Sequence, residues 1–335
     1  MVVRAVLGAG AVAAALGAVG AGISRRQPAL AAVAAIVAFV WGVVAGLCLL
    51  RALPSLPPTT GLDRYLVILL PVALAIEVEA AANWIGGFWL TAERGCVALL
   101  AVPVLLHGSV WLEGGTPAVV ILAAALFLWA SWEGITGDVR SSGDRVVAVV
   151  TVGAMVVAGL SIAMAGWLKG GLVALPLAGA LAGALLADWG GGPTWRRSGS
   201  GEVWGTPGLP GLTAVGLVAL FGLVVVGRCF GRMGSAAALL ILLAPLLAVL
   251  PLGIGRMLPD SAGQRLLRSA RYRILLALVP LVIVVIVAKA DFDTRLGRLV
   301  GEIPPPGPVA ADASAGVDRF KLLRTPGSAS RRVRS

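Results

Sequence analysis

The stretch ILLALVPLVIVVIVAKA, Ile274–Ala290, decides the fold class. Nearly every side chain in it is aliphatic, most are branched, and its one charge, Lys289, stands at the end. A helix built from it is apolar on every side, and such a helix belongs in hydrocarbon rather than against one wet face.

Nine similar blocks precede it. They run Ala5–Ile23, Ala29–Leu50, Tyr65–Asn83, Cys96–Trp111, Pro117–Trp132, Val146–Leu168, Gly171–Ala187, Leu212–Phe230 and Ala236–Ile254. Each has roughly the length that a helix rising 1.5 Å per residue needs to cross about 30 Å of lipid tails. The expected fold is therefore an all-α polytopic transmembrane bundle of about ten spanning helices. Residues 1–290 form the membrane domain, and 291–335 a basic, proline-containing, disordered tail with Pro304-Pro305-Pro306 as a stiff spacer.

Composition agrees. Of 335 residues, 59% are hydrophobic and 13% charged, whereas soluble domains carry about 25% charged residues. The net charge of +11 does not point to nucleic acid, because the arginines lie between apolar blocks and in the tail, where they set membrane orientation. The preference for Arg, Ala, Gly, Val and Pro suggests a G+C-rich bacterial genome, and so a cell (inner) membrane.

Ala5–Ile23 could be read as a signal peptide, but Arg25 and Arg26 follow it directly, so it is taken as a retained first helix. Trp84, Trp89, Trp111, Trp129, Trp132, Trp167 and Trp189 fall at or near block ends, as headgroup-level indoles should. Small residues four apart, Gly179 with Gly183 and Ala18 with Gly22, would let backbones approach closely.

Sidedness follows from the last block, since the arginines before it and the tail after it must lie on opposite faces. Arg256, Arg265, Arg268, Arg271 and Arg273 outweigh Lys289, Arg295 and Arg298, so the 256–273 loop is expected in the cytoplasm and the tail opposite. The loops assigned to Arg25 and Arg26, Arg94, Arg140 and Arg145, and Arg196 and Arg197 then share the cytoplasmic side. Within the 256–273 loop, Leu266, Leu267 and Ala270 gather on one helical face, against Arg265, Arg268, Arg271 and Arg273. That is the pattern of a short interfacial helix whose arginines contact anionic lipid headgroups, the bilayer being the expected partner.

Four residues form the candidate substrate or proton site: Glu77, Glu79, Asn83 and His107. A carboxylate inside a span costs about 2.5–3.5 kcal/mol on insertion scales, and the third block cannot reach spanning length without both glutamates. Two residues apart, they point about 200° from each other and cannot form one dyad. Glu79 and Asn83 share a face, and His107 on the fourth block would approach the depth of Glu77 if the two helices form a hairpin. The plainer reading is a tilted third helix with both glutamates at the headgroups. Glu133, Asp188, Lys169 and Arg228 read as solvated block ends.

The sequence carries no phosphate-binding loop, HExxH, paired-Asp motif or nucleophile elbow. Cys48, Cys96 and Cys229 stand apart and read as small buried hydrophobes, and no metal or cofactor is expected. The architecture suggests a transporter-like or permease-like protein. A membrane-embedded scaffold or assembly protein is the alternative, and a lipid-modifying enzyme the third.

Overall fold

A computed structural model describes residues 1–24, 28–113, 118–142, 145–190, 209–257 and 269–301. Ten long helices run through them: α1 Val2–Ser24, α2 Pro28–Leu50, α3 Gly61–Ala82, α4 Gly87–Leu106, α5 Ala118–Ser142, α6 Val146–Met164, α7 Leu168–Gly190, α8 Leu209–Cys229, α9 Ser235–Met257 and α10 Ala270–Gly301. No strand occurs among the described residues. Nine of the ten are long and apolar enough to span a membrane, and the described apolar stretch of α9, Ser235–Pro251, is shorter. The chain is a multi-pass membrane protein built as an all-α helical bundle.

Cα packing divides the chain into Met1–Phe292 and Asp293–Ser335. In the second unit the described residues are 293–301, and these are helical. Residues 291–301, which the sequence reading put at the start of the tail, continue α10, and residues 302–335 lie outside the described residues.

Helix α8 is the hub of the first unit, touching α2 through α7 and α9. Two features of its sequence permit this: it is apolar on all sides, and its glycines sit where neighbours press closest. A Cβ at Gly222 would run into the ring of Tyr65, and one at Gly216 would meet Leu181 and Thr151.

A second tight assembly joins α1, α2 and α7. A Cβ at Gly10 would lie 3.2 Å from the carbonyl oxygen of Gly179, one at Gly183 would strike the Gly10 backbone, and one at Gly42 would meet the Ala9 carbonyl at 2.7 Å. The Gly179–Gly183 pair thus does what its spacing suggested, giving α1 a groove only glycine can supply. Ala18 of the other pair is exposed instead.

Helix α3 is a composite. Thr60 and Asp63 form a capping box at its start, reinforced by Ser55, whose backbone N–H and hydroxyl both donate to Asp63. Residues Tyr65–Leu69 then widen into a π turn, with the Leu70 N–H reaching back to the Tyr65 carbonyl just before Pro71. Proline has no N–H and its ring crowds the carbonyl four residues earlier, so a wider turn relieves the clash. Tyr65 is fully buried and donates its hydroxyl to the Ala219 carbonyl at 3.1 Å, tying this turn to α8.

Helix α10 buries one narrow edge, Arg273, Ala277, Pro280, Leu281 and Val284, while most of its other aliphatic side chains are exposed or half-buried. Cys48 and Cys96 are exposed on the helix surfaces and Cys229 is half-buried, so the reading of all three as buried hydrophobes does not hold. Outward positions in a bilayer are as apolar as the core, which removes the pressure to bury them.

Candidate functional site

The largest departure from the sequence reading lies between α3 and α4. Helix α4 begins at Gly87, nine residues before the expected start at Cys96, and ends at Leu106. Arg94 is thereby carried off its supposed loop into the helix, where it is 2% exposed. His107 and Trp111, expected inside the block, lie beyond its end.

Glu77, also 2% exposed, lies in the last two turns of α3 and meets Arg94 from the first two turns of α4. The Arg94 NH2 and Nε groups donate to Glu77 Oε1 at 2.7 and 3.1 Å. The same oxygen accepts from Trp132 Nε1 at 2.7 Å. Trp132 comes from α5, is fully buried, and lays its ring 5.6 Å from the Arg94 guanidinium carbon. Sequence reading placed this indole at the headgroups; its N–H finds a carboxylate inside the bundle instead.

The other side of Arg94 faces α5 again. NH1 lies 3.3 Å from Glu133 Oε2 and 3.2 Å from Thr136 Oγ1. Helix α5 continues to Ser142 rather than stopping at Trp132, so Glu133 is part of the site and not a solvated block end. Its side chain is 30% exposed. Helix α8 closes the cluster: a Cβ on Gly211 would stand 3.7 Å from the Cβ and Oε2 of Glu77.

Three charged side chains from three helices thus converge near one end of the bundle. Taking a charge out of water is costly unless partners satisfy it, and removing one partner of a buried pair typically costs about 3–5 kcal/mol. The cluster is a place where α3, α4, α5 and α8 are forced into one register.

The other sequence candidates do not join it. Glu79 is half-buried, and its carbonyl accepts from the N–H groups of Asn83 and Trp84. Asn83 takes a left-handed conformation, φ 59°, and terminates α3, so its role there is to cap the helix. His107 is exposed at the opposite end of α4, about 20 Å along the helix from Arg94 at 1.5 Å per residue. Its carbonyl accepts from Arg64, and the expected approach to Glu77 does not occur.

That opposite end has its own polar ties. Arg228 stacks on Trp111 with its guanidinium carbon 5.5 Å from the ring centroid, and donates to Ser235 at 2.9 Å. Trp111 Nε1 donates to the Cys229 carbonyl at 2.8 Å. Lys169 is exposed, as a block end should be, and the side chain of Asp188 lies outside the described residues.

Of the arginines expected at lipid headgroups, Arg265 and Arg268 lie outside the described residues, and Arg271 is exposed. Arg273 differs from the expectation: it is 2% exposed and donates through Nε to the Ala248 carbonyl of α9 at 2.5 Å, enclosed by protein rather than facing headgroups. Among the described residues no three His, Cys, Asp or Glu side chains gather as a metal site would require.

Neither a known family model nor any curated protein matches the chain.

Proposed function

We propose that this is a permease-like membrane protein whose polar site is the Arg94 cluster, with Glu77 its fixed member and Glu133 its mobile one. The observation that carries this reading is a set of charges held inside the bundle while one carboxylate keeps an open side. Ionisable groups within spans are expensive, and where they persist they mark substrate and ion pathways. The π turn before Pro71 departs from the regular α hydrogen-bond pattern of α3, a local feature often found at functional sites. By the arginine bias, the cluster's end faces the cytoplasm and the chain after α10 starts from the opposite face.

Transport requires that the site be reached from each face in turn. In full-length protein with Cys48, Cys96 and Cys229 changed to alanine, Thr136→Cys should react with a membrane-impermeant methanethiosulfonate cation from both faces of oriented vesicles. Reaction from one face alone, or from neither, overturns the reading.

A membrane-embedded scaffold is the second reading. Glu77 Oε1 is satisfied by three donors, as a purely structural carboxylate would be, and α1, α2 and α7 are locked backbone to backbone. A closed Thr136 in the labelling experiment favours it.

A further inference from the structure

The guanidinium of Arg94 is held unequally along its edges. The Nε and NH2 edge makes bonds of 3.1 and 2.7 Å to a carboxylate oxygen that Trp132 also holds at 2.7 Å. The NH1 edge has contacts of 3.3 and 3.2 Å, to Glu133 and Thr136. Charge-assisted N–H···O bonds ordinarily measure about 2.7–2.9 Å, so the second edge is undersatisfied.

Glu133 is equally ill-served. Its Oε2 makes the long contact, and its Oε1 is buried with no hydrogen-bond partner among the described residues. A buried acceptor left unmade costs about 1–3 kcal/mol, more when charged. Yet this side chain is 30% exposed where those of Arg94 and Glu77 are 3% and 2%. One edge of the arginine is therefore sealed, and the other is occupied by a loosely held carboxylate with a way out.

We infer that Glu133 is a built-in stand-in for an anionic ligand, and that the NH1 edge of Arg94 binds the oxyanion of a small soluble carboxylate or phosphate once Glu133 swings aside. The ligand takes the place of Glu133 rather than joining it, because a third negative group around one guanidinium would be repelled. The hydroxyl of Thr136 and the Trp132 ring complete the seat: the hydroxyl lies beside NH1, and the ring is a flat wall against the guanidinium. This rests on the permease reading of the same cluster and supplies its substrate class.

The test is equilibrium binding, which needs no transport. The thermal unfolding midpoint of full-length protein in maltoside micelles is followed against acetate, inorganic phosphate or phosphatidylglycerol, with chloride at matched ionic strength as reference. A saturable rise with acetate or phosphate is expected. Glu133→Gln should tighten the apparent affinity about tenfold by removing the internal competitor, and Arg94→Lys should abolish the rise. If Arg94→Lys does not fold, Glu133→Gln against the unsubstituted protein still decides, since affinity no tighter than that of the unsubstituted protein overturns the inference. No rise with any of the three anions overturns it too, and a rise with phosphatidylglycerol alone assigns the seat to a lipid headgroup and overturns the soluble-ligand form. Binding without two-faced labelling at Thr136 sinks the permease reading and keeps the anion seat; labelling without binding does the reverse.

Discussion

Arg94 and Glu77 approach to 2.7 Å across the turn between α3 and α4, each at most 3% exposed. The contact joins the last turns of one helix to the first turns of the next, and both partners lie within candidate membrane spans, Gly61–Ala82 and Gly87–Leu106.

That pairing should dominate the stability of this end of the bundle. Glu77→Gln keeps an acceptor but removes the charge that neutralises the buried guanidinium, and should cost about 3–5 kcal/mol. Adding Arg94→Gln should recover part of the loss, a non-additivity expected of residues in direct contact. Unfolding in mixed micelles by a denaturing detergent gives both numbers, and strict additivity would argue against the ion pair.

Trp132→Phe keeps a ring against Arg94 and deletes one donor to Glu77. The expected loss is about 1.5–3 kcal/mol, the range for hydrogen bonds to charged groups. Trp129→Phe is the control: its Nε1 donates to the neutral Thr91 carbonyl at a longer 3.3 Å, and its loss should be about 1 kcal/mol or less. The same detergent titration compares them, and equal losses would count against a special role for Trp132.

Substitution of glycines should separate two classes cleanly. Gly183→Leu drives a side chain into the backbone of Gly10 and should prevent α1 from seating against α7. A Cβ added at Gly134 meets nothing within 4 Å, so Gly134→Leu should leave folding unchanged. Size-exclusion profiles in detergent read the difference; equal behaviour would mean that α1 and α7 do not meet at Gly10.

Tyr65→Phe removes the hydroxyl donated to the Ala219 carbonyl without emptying the space against Gly222. A loss of about 0.5–1.5 kcal/mol is expected, as for a single neutral hydrogen bond. The carbonyl keeps its helical partner, so a larger effect would show that the π turn depends on this bond.

The class of fold was legible because lipid rewards one property, apolarity over a fixed length, and residues 274–290 show it without interruption. Glu77 was legible for the complementary reason: no span over Tyr65–Asn83 could avoid it. Arg94 is not legible in this way, because a charge reads as the mark of a loop and pushes the expected start of α4 to Cys96. The missed signal was length, since Cys96–Trp111 is short of the ~20 residues that hydrocarbon requires. Extending it backwards admits Arg94, and an arginine inside one span then calls for the carboxylate already found in its neighbour. Glu133 falls to the same rule, one residue past the end that the sequence sets for α5 at Trp132. Asn83 looked polar and near the site, but its left-handed backbone shows why that residue type stands there.

The seating of α7 against both α1 and α2 bears on how the molecule is made. Helices α1 and α2 are translated before α7, so the groove between them is filled by a segment made later. Until then their facing glycines and alanines must be covered by lipid tails or by the insertion machinery. The α1–α2 hairpin therefore waits, half-finished, for a partner translated five helices later, and lengthening that wait by slowing translation before α7 should expose it to quality control.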